Sequence, residues 1–379
     1  MDQQIRMGKF LNKKLAIYLV ANRVIFFVAA YFLTISSPIQ KILPFKSFLD
    51  FLETFGKRWD GNSYTFIAAN GYVTTGVEKF FIVFPPLYPA IIKALTFLHI
   101  DSVTSGIIIS NLFFIAAMAV FYRLLRLDYN KKFSFFVIVL LSIFPTSFFF
   151  SVAYPESLFF FLFVLTFYLA RKKKYFLSAF AGGLAVITRP FGIIILPALL
   201  LQIFIQKDLT LKRILVTSVI FGLPSAVYLF INFSLFGDPF AFAHLLKENW
   251  QKSFAYPWEG IIASWKRGLF TEELSSYKFF VGFGEAIAST LAWVFIPLGV
   301  KHWGLKSPYL LYLLLATIFF TSTGFILSAP RYLLSIPPFF IILAKALGPN
   351  KFIKSAWIAL SITLLFYISY EFAWGHWTF

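Results

Sequence analysis

The stretch RWDGNSYTFIAANGY, Arg58 to Tyr72, carries a single carboxylate, Asp60, set between a tryptophan and a glycine. Gly61 suits a turn that would bring this carboxylate close to a bound substrate. Asp60 equally suits the start of a helix that runs through Ala69 and is ended by Asn70 and Gly71, where its side chain would cap free backbone N–H groups. The two roles are compatible, and the local sequence supports both. In FPPLYP, Phe84 to Pro89, closely spaced prolines fix an extended or turned backbone, which points to a structural purpose. In YPESLF, Tyr154 to Phe159, Glu156 stands at one end of an apolar run, placed to cap a helix or to meet a substrate. Arg189 in ITRPFG and Arg331 in SAPRYLL occupy short turns between apolar runs. A guanidinium grips phosphate through two parallel hydrogen bonds, so both are candidates for a phosphate site. The alternatives are snorkelling to lipid head groups or pairing with a nearby acid.

The chain that must position these groups is apolar throughout. Of 379 residues 59% are hydrophobic and 13% charged, and the mean hydropathy is +0.79, which no soluble fold could hide. The expectation is an all-α polytopic membrane protein forming one integral membrane domain over 1–379. The 53 phenylalanines read as lipid-facing and interhelical filler. The net charge of +18 falls in short clusters between apolar runs and not along a groove, so nucleic acid is not an expected partner. The absence of cysteine excludes disulfides, thiolate metal sites and cysteine nucleophiles. His99, His244, His302 and His376 show no metal-ligand spacing, and no metal or other cofactor is indicated. There is no Walker loop, no dinucleotide glycine fingerprint and no Asp-x-Asp pair. That argues against a nucleoside-diphosphate donor and for a lipid-linked one reached from within the bilayer.

Apolar runs bounded by charge predict about eleven transmembrane helices, near 14–35, 104–122, 133–150, 157–170, 175–188, 191–206, 213–234, 285–300, 308–328, 332–347 and 355–374. Alternate connections are basic: Arg6/Lys9/Lys13/Lys14, Arg123/Arg126/Lys131/Lys132, Arg171 to Lys174, Lys207/Lys212/Arg213, Lys301/Lys306 and Lys351/Lys354. The preference of Lys and Arg for the cytoplasmic side then makes the N-terminus cytoplasmic, with the run from Leu15 read as an uncleaved first helix. All of the 16 acidic residues except Asp2, Asp128 and Asp208 fall on the other side, a hint that the outer face does chemistry. Two outer segments are long, 36–103 and 235–284. Within the first, Phe48 to Phe55 and Leu87 to Leu98 read as interfacial helices.

The order and spacing of WDGNSYTFIAANGY, FPPLYP, YPESLF, RKKKYFLSAFAGGLAVITRPFGIIILPALL, FGDPFAFAHLLKENW and SAPRYLL resemble the GPI mannosyltransferase PIG-V family and its prokaryotic relatives, within the GT-C glycosyltransferase superfamily. The resemblance spans about residue 55 to 345. It implies a GT-C-like fold with a long first outer loop. It further implies an enzyme that moves a sugar, usually mannose, from a polyprenyl- or dolichyl-phosphate donor to a glycolipid or glycan hydroxyl on the non-cytoplasmic face, with inversion. The membrane would be the plasma membrane in a prokaryote and the endoplasmic reticulum in a eukaryote. Ser63 and Pro85 depart from the family pattern, each standing where an aromatic residue is usual.

Carried over residue by residue, the resemblance makes Asp60 the catalytic base and puts Arg189 and Arg331 at the membrane. Tyr332, Trp59, Tyr64, Tyr88 and Glu156, which lie in the same motifs, join the two arginines as candidate substrate- or donor-binding residues. An aspartate is a carboxylate at neutral pH and would take the proton of the attacking hydroxyl. A lipid phosphate leaves as a stable anion, so no acid is needed, unlike the paired carboxylates of a glycosidase. The rival is a multi-pass transporter or lipid-carrier flippase. It would be expected to show repeat symmetry and paired broken helices, and the sequence shows neither.

Overall fold

A computed structural model describes residues 13–41, 45–250, 253–271 and 276–378. Arg6 and Lys9 of the expected basic N-terminus, and Asp2, lie outside the described residues. The described chain is helical, with one isolated β-bridge between Phe254 and Thr323. In order, the helices are α1 (Lys13–Ile35), α2 (Phe48–Gly56), α3 (Asp60–Asn70), α4 (Leu87–Thr96), α5 (Ser102–Leu125), α6 (Lys131–Ser142), α7 (Glu156–Arg171), α8 (Tyr175–Val186) and α9 (Ile195–Ile205). There follow α10 (Leu211–Phe236), α11 (Ala241–Trp250), α12 (Pro257–Phe270), α13 (Glu285–Trp303), α14 (Pro308–Thr321), α15 (Ala329–Leu334), α16 (Pro337–Ala346) and α17 (Lys351–Ala373). Polar residues at the boundaries set the starts. Asp101, Asn130, Thr210, Ser307 and Asn350 each accept a backbone N–H in the first turn of α5, α6, α10, α14 and α17.

Five of the described helices are long and apolar enough to cross a membrane: 13–35, 102–125, 211–236, 278–303 and 351–373. A sixth is reached if the segment Val77–Val83 and α4, bent by 111° at the Phe84–Pro86 break, count as one span. The prolines of FPPLYP make that bend. The span 278–303 starts seven residues before the expected one, because a π-helical turn, Lys278–Gly284, runs directly into α13. The segment 235–284, expected on the outer side, is shortened accordingly. Lipid-facing surface is plain on α1 and α10, where Ile17, Val24, Ile25, Val219 and Phe230 are exposed.

The other expected spans fold as shorter helices. The stretch 133–150 is α6 plus a separate turn at 147–150, 157–170 is α7, 175–188 is α8, and 191–206 is a 3-10 turn at Pro190–Ile194 leading into α9. The run 308–328 stops at Thr321, and 332–347 is broken between α15 and α16. Each break follows from its sequence: Pro145, Pro190, Gly324 and the Pro337–Pro338 pair cannot continue a regular helix at those points. Backbone freed inside a membrane must find partners in the protein. Arg23, buried at the middle of α1, supplies some of them. Its guanidinium donates to the Ser142 carbonyl at 3.1 Å and the Ser151 hydroxyl at 2.7 Å, and lies 4.1 Å from the Phe114 ring centre. It thereby serves the end of α6 and the turn beyond it.

Most phenylalanines are the expected filler. Phe55, Phe148 and Phe372 pack against one another, edge-on or tilted, in the core where α2, α17 and the 147–150 turn meet. The tight pairing of α5 with α7 and of α7 with α8 brings the starts and stops of the broken helices to one polar layer.

Candidate functional site

The polar layer begins at the join of α2 and α3. Gly61 packs so closely that a Cβ there would lie 2.4 Å from the Gly56 carbonyl oxygen and 3.2 Å from the Tyr154 ring. No larger residue fits the turn that presents Asp60. The preceding Trp59 has φ of +51°, a conformation costly for a side-chain-bearing residue, and packs edge-on against Trp377 at 5.0 Å. The turn is clamped from outside: Tyr154 donates its hydroxyl to the Arg58 carbonyl at 2.8 Å, and Arg58 grips the Ala373 carbonyl with Nε and Nη2. Asp60 is therefore the first residue of α3 and not its cap. Trp59 takes the cap position without a side-chain bond, and Gly71 ends the helix with φ of +78°.

The Asp60 carboxylate points into the layer and accepts Nη1 of Arg331 at 2.5 Å. The same arginine gives its Nε to Oε1 of Glu156. Glu156 is the first residue of α7, and the same Oε1 also accepts Nη1 of Arg189 at 2.9 Å. That Arg189 nitrogen reaches the Ser335 hydroxyl at 3.0 Å as well. Two guanidinium groups and two carboxylates thus form one chain, Asp60–Arg331–Glu156–Arg189, with balanced charge. Their exposure is not balanced. The side chain of Glu156 is 0% exposed and that of Arg331 7%, while Asp60 keeps 29%. Asp60 is the more exposed of the two acids in the cluster. Oε2 of Glu156 is buried without a hydrogen-bond partner, so the group is held by its charge and by one oxygen.

Aromatic faces complete the enclosure. The Arg331 guanidinium lies 4.6 Å from the Tyr154 ring centre and 5.1 Å from that of Phe149, and Arg189 lies 5.2 Å from Tyr332. Arg331 owes its aim to a further acid, Glu285 at the head of α13. Its two carboxylate oxygens accept the Ser328 and Ala329 N–H groups, each at 2.6 Å, which holds Ser328 at φ of +71° and fixes the start of α15. A carboxylate at a helix N-terminus is favoured by the dipole as well as by these bonds.

Of the residues singled out in the sequence, the structure brings together Asp60, Glu156, Arg189, Arg331 and Tyr332. Both arginines pair with an acid, the alternative weighed for them above, and both do so through Glu156. Glu156 turns its carboxylate to the arginines and leaves the cap of α7 to Pro155. Tyr64 is buried and packs edge-on against Tyr88 at 5.3 Å. Tyr88 itself is fully buried, its hydroxyl bonded to the Gly106 carbonyl and the Ser110 hydroxyl of α5, so it braces α4 on α5. Trp59 stays at the rim, 39% exposed. The residues that sequence reasoning passed over are Tyr154, Phe149, Ser335 and Glu285. Tyr154 stood inside YPESLF, Ser335 lies one helical turn beyond Arg331, and Glu285 is an acid at the edge of an apolar span. Phe149 carried no signal among so many phenylalanines. Among the described residues no three acidic or histidine side chains gather as metal ligands.

Residues 84–237 match the family model described as dolichyl-phosphate-mannose-protein mannosyltransferase. The match covers Glu156 and Arg189 and leaves Asp60 and Arg331 outside it. The fold is similar to that of ArnT from Cupriavidus metallidurans, whose crystal structure contains undecaprenyl phosphate. The TM-score is 0.56 at 14% identity, over 94% of this chain and 64% of ArnT. The chain is thus a multi-pass integral membrane protein with a fold similar to that of ArnT, and it spans just under two thirds of the length of that protein. No curated protein gives a significant match.

Proposed function

We propose that this protein is a membrane glycosyltransferase that moves a sugar, mannose by the family description, from a polyprenyl-phosphate carrier to an acceptor hydroxyl with inversion at the anomeric carbon. The observation that carries the reading is the Asp60–Arg331 pair, a solvent-reached carboxylate bonded at 2.5 Å to a guanidinium that Glu156 holds from behind. One group has the chemistry of a base and the other that of a phosphate ligand, and they are already adjacent. The matched family model and the ArnT-like fold supply the donor class.

In this mechanism the donor phosphate approaches Arg331 from the open, Asp60 side, because Glu156 closes the other. Nη1 of Arg331 turns from Asp60 to the phosphate, while its Nε stays on Glu156 and keeps the guanidinium oriented. Asp60, released, accepts the proton of the acceptor hydroxyl as its oxygen bonds to the anomeric carbon. The bond from that carbon to the phosphate oxygen breaks, and its electron pair leaves with the polyprenyl phosphate. Arg331, with Arg189 behind it, offsets the charge that builds on the leaving oxygen. A preorganised contact of this kind contributes on the order of 10²-fold or more in rate.

The finer resemblance to the PIG-V family and the eleven-span topology belong to the same proposal. The shorter helices α6 to α9, α14 and α16 would complete spans that break at the Glu156 layer, where non-helical backbone lines a substrate cavity. The basic connections then face the cytoplasm, Asp60 faces the opposite side of the plasma membrane or endoplasmic reticulum, and the acceptor is a glycolipid or glycan. The test uses purified protein in liposomes with radiolabelled polyprenyl-phosphate-mannose and a panel of glycolipid acceptors. Labelled product from the wild type and none from Asp60→Asn is the expected result. Equal turnover by the two proteins removes Asp60 from the chemistry. Movement of the donor across the bilayer without any transfer makes the protein a transporter instead.

A further inference from the structure

A second polar site lies at the opposite end of α7. From Glu156 to Arg171 the helix rises about 22 Å at 1.5 Å per residue, so the two sites are separate. There, a cavity of about 550 Å³ opens between the C-terminal ends of α7, α9 and α13 and the start of α14. This volume is within the range of small-molecule sites. The cavity sits among the basic connections of the bundle.

The walls are built and held. Arg171 and Asp128 face each other as a two-pronged pair, Nη1 to Oδ2 at 2.8 Å and Nη2 to Oδ1 at 2.7 Å, and so cancel in charge. Trp303 donates its indole N–H to the Tyr129 hydroxyl at 2.9 Å, and His302 meets the same hydroxyl at 3.0 Å. Lys306 also lines the cavity, exposed, and no carboxylate pairs with it among the described residues. Next to it Ser307 caps α14, a helix of 14 residues whose N-terminus adds positive potential at the cavity. The site therefore joins a net positive charge to amphipathic rings, at the ends of helices that run into the bilayer. Tryptophan and tyrosine favour that level of a membrane, and basic pockets between helices there take acidic lipid head groups.

We propose that this cavity binds the phosphate of an anionic diacyl phospholipid head group, such as phosphatidylglycerol, with Lys306 on the phosphate, the Tyr309 N–H of α14 as the backbone donor left beside it, since Pro308 has none and Ser307 takes that of Leu310, and Trp303 beside the glycerol and upper acyl chains. A free phosphate ion shares the anion chemistry but not the apolar contact, and the experiment separates them. The full-length protein is placed in nanodiscs of phosphatidylcholine with rising phosphatidylglycerol, and thermal unfolding and retained lipid, counted by native mass spectrometry, are followed. Phosphatidylglycerol is expected to raise Tm and to remain bound, and Lys306→Gln to weaken that effect about five-fold, the contribution of one interfacial lysine. Lys174→Gln, a charge-matched change outside the cavity, should keep it. Equal loss in the two variants means diffuse attraction and overturns the site. No stabilisation by phosphatidylglycerol, or the same stabilisation by inorganic phosphate in phosphatidylcholine discs, overturns it as well.

Discussion

Replacing Asp60 by Asn should tighten the grip on the lipid phosphate while abolishing transfer. In the resting protein Arg331 is shared between Asp60 and Glu156, and a donor phosphate must displace Asp60 to reach it. With the phosphate in place, two negative charges face the same guanidinium. Placed about 6 Å apart at an effective dielectric constant near 20, they repel by about 3 kcal/mol. That figure corresponds to about 100-fold in affinity. Asp60 keeps 29% exposure, so water screens part of this, and a gain of about ten-fold is the working expectation. Asn is close in shape and can still accept Nη1, so the cluster keeps its packing but carries one more positive charge than before. The assay is equilibrium binding of polyprenyl phosphate and of uncharged polyprenol to wild-type and variant protein in the same detergent. Affinity for the phosphate should rise and affinity for the alcohol should stay level, with turnover lost by at least 10²-fold. Unchanged or weaker phosphate binding in a folded Asp60→Asn protein refutes the idea that the donor and Asp60 compete for Arg331. Tighter binding with normal turnover keeps the competition and discards the base.

Other perturbations test the supports of the site. Gly61→Ala places a methyl group 2.4 Å from the Gly56 carbonyl oxygen, so α3 must move; thermal unfolding should show a loss of about 1–3 kcal/mol, and an unaltered Tm means the contact is looser than it looks. Glu285→Gln leaves one backbone N–H of α15 facing an amide NH2. It should cost about 1.5–3 kcal/mol in stability and lower kcat more than it changes donor affinity, as expected of a group that aims Arg331 without touching substrate. Ser335→Ala removes one of two partners of the Arg189 Nη1 and should weaken donor binding only a few-fold, since Glu156 still holds that nitrogen; a larger effect would make the hydroxyl a direct substrate contact.

The four charged residues of the cluster were visible one by one because an ionisable group in so apolar a chain needs a reason to be there. Their partnership was not visible. Glu156 meets Arg189 across 33 residues and Arg331 across 175, and no local pattern encodes which acid serves which base. Gly71 was readable as a helix end because a positive φ there needs glycine, whereas Trp59 adopts its strained turn under tertiary clamps from Tyr154 and Trp377 that the local sequence does not announce. The apolar runs gave the membrane class and placed five long helices to within a few residues, apart from the early start of the span 278–303. They placed α7 to within one residue at each end but overstated the length of the other short helices, because hydropathy averages across Pro145, Pro190 and Pro337 while the backbone breaks at them. Tyr88 shows the converse limit: a tyrosine in a motif looks like a ligand contact until its hydroxyl is found bonded to the Gly106 carbonyl inside the bundle.

Arg23 bears on how the chain enters the membrane. Its partners on the α6 side, the Ser142 carbonyl and the Ser151 hydroxyl, follow it by 119 and 128 residues. At about 5–20 residues per second, a ribosome needs roughly 6–25 s to deliver them. Until then the guanidinium near the middle of α1 has only its helix neighbour Asn22, whose Oδ1 accepts its Nε at 3.0 Å and its Nη2 at 2.5 Å, and it remains a burden of up to about 2.5–3.5 kcal/mol on insertion scales. The consequence is a helix that is committed late. Nascent chains cut before Ser142 should leave α1 extractable by alkali, and chains reaching past Ser151 should retain it. The arginine that braces the finished bundle thus also orders its assembly.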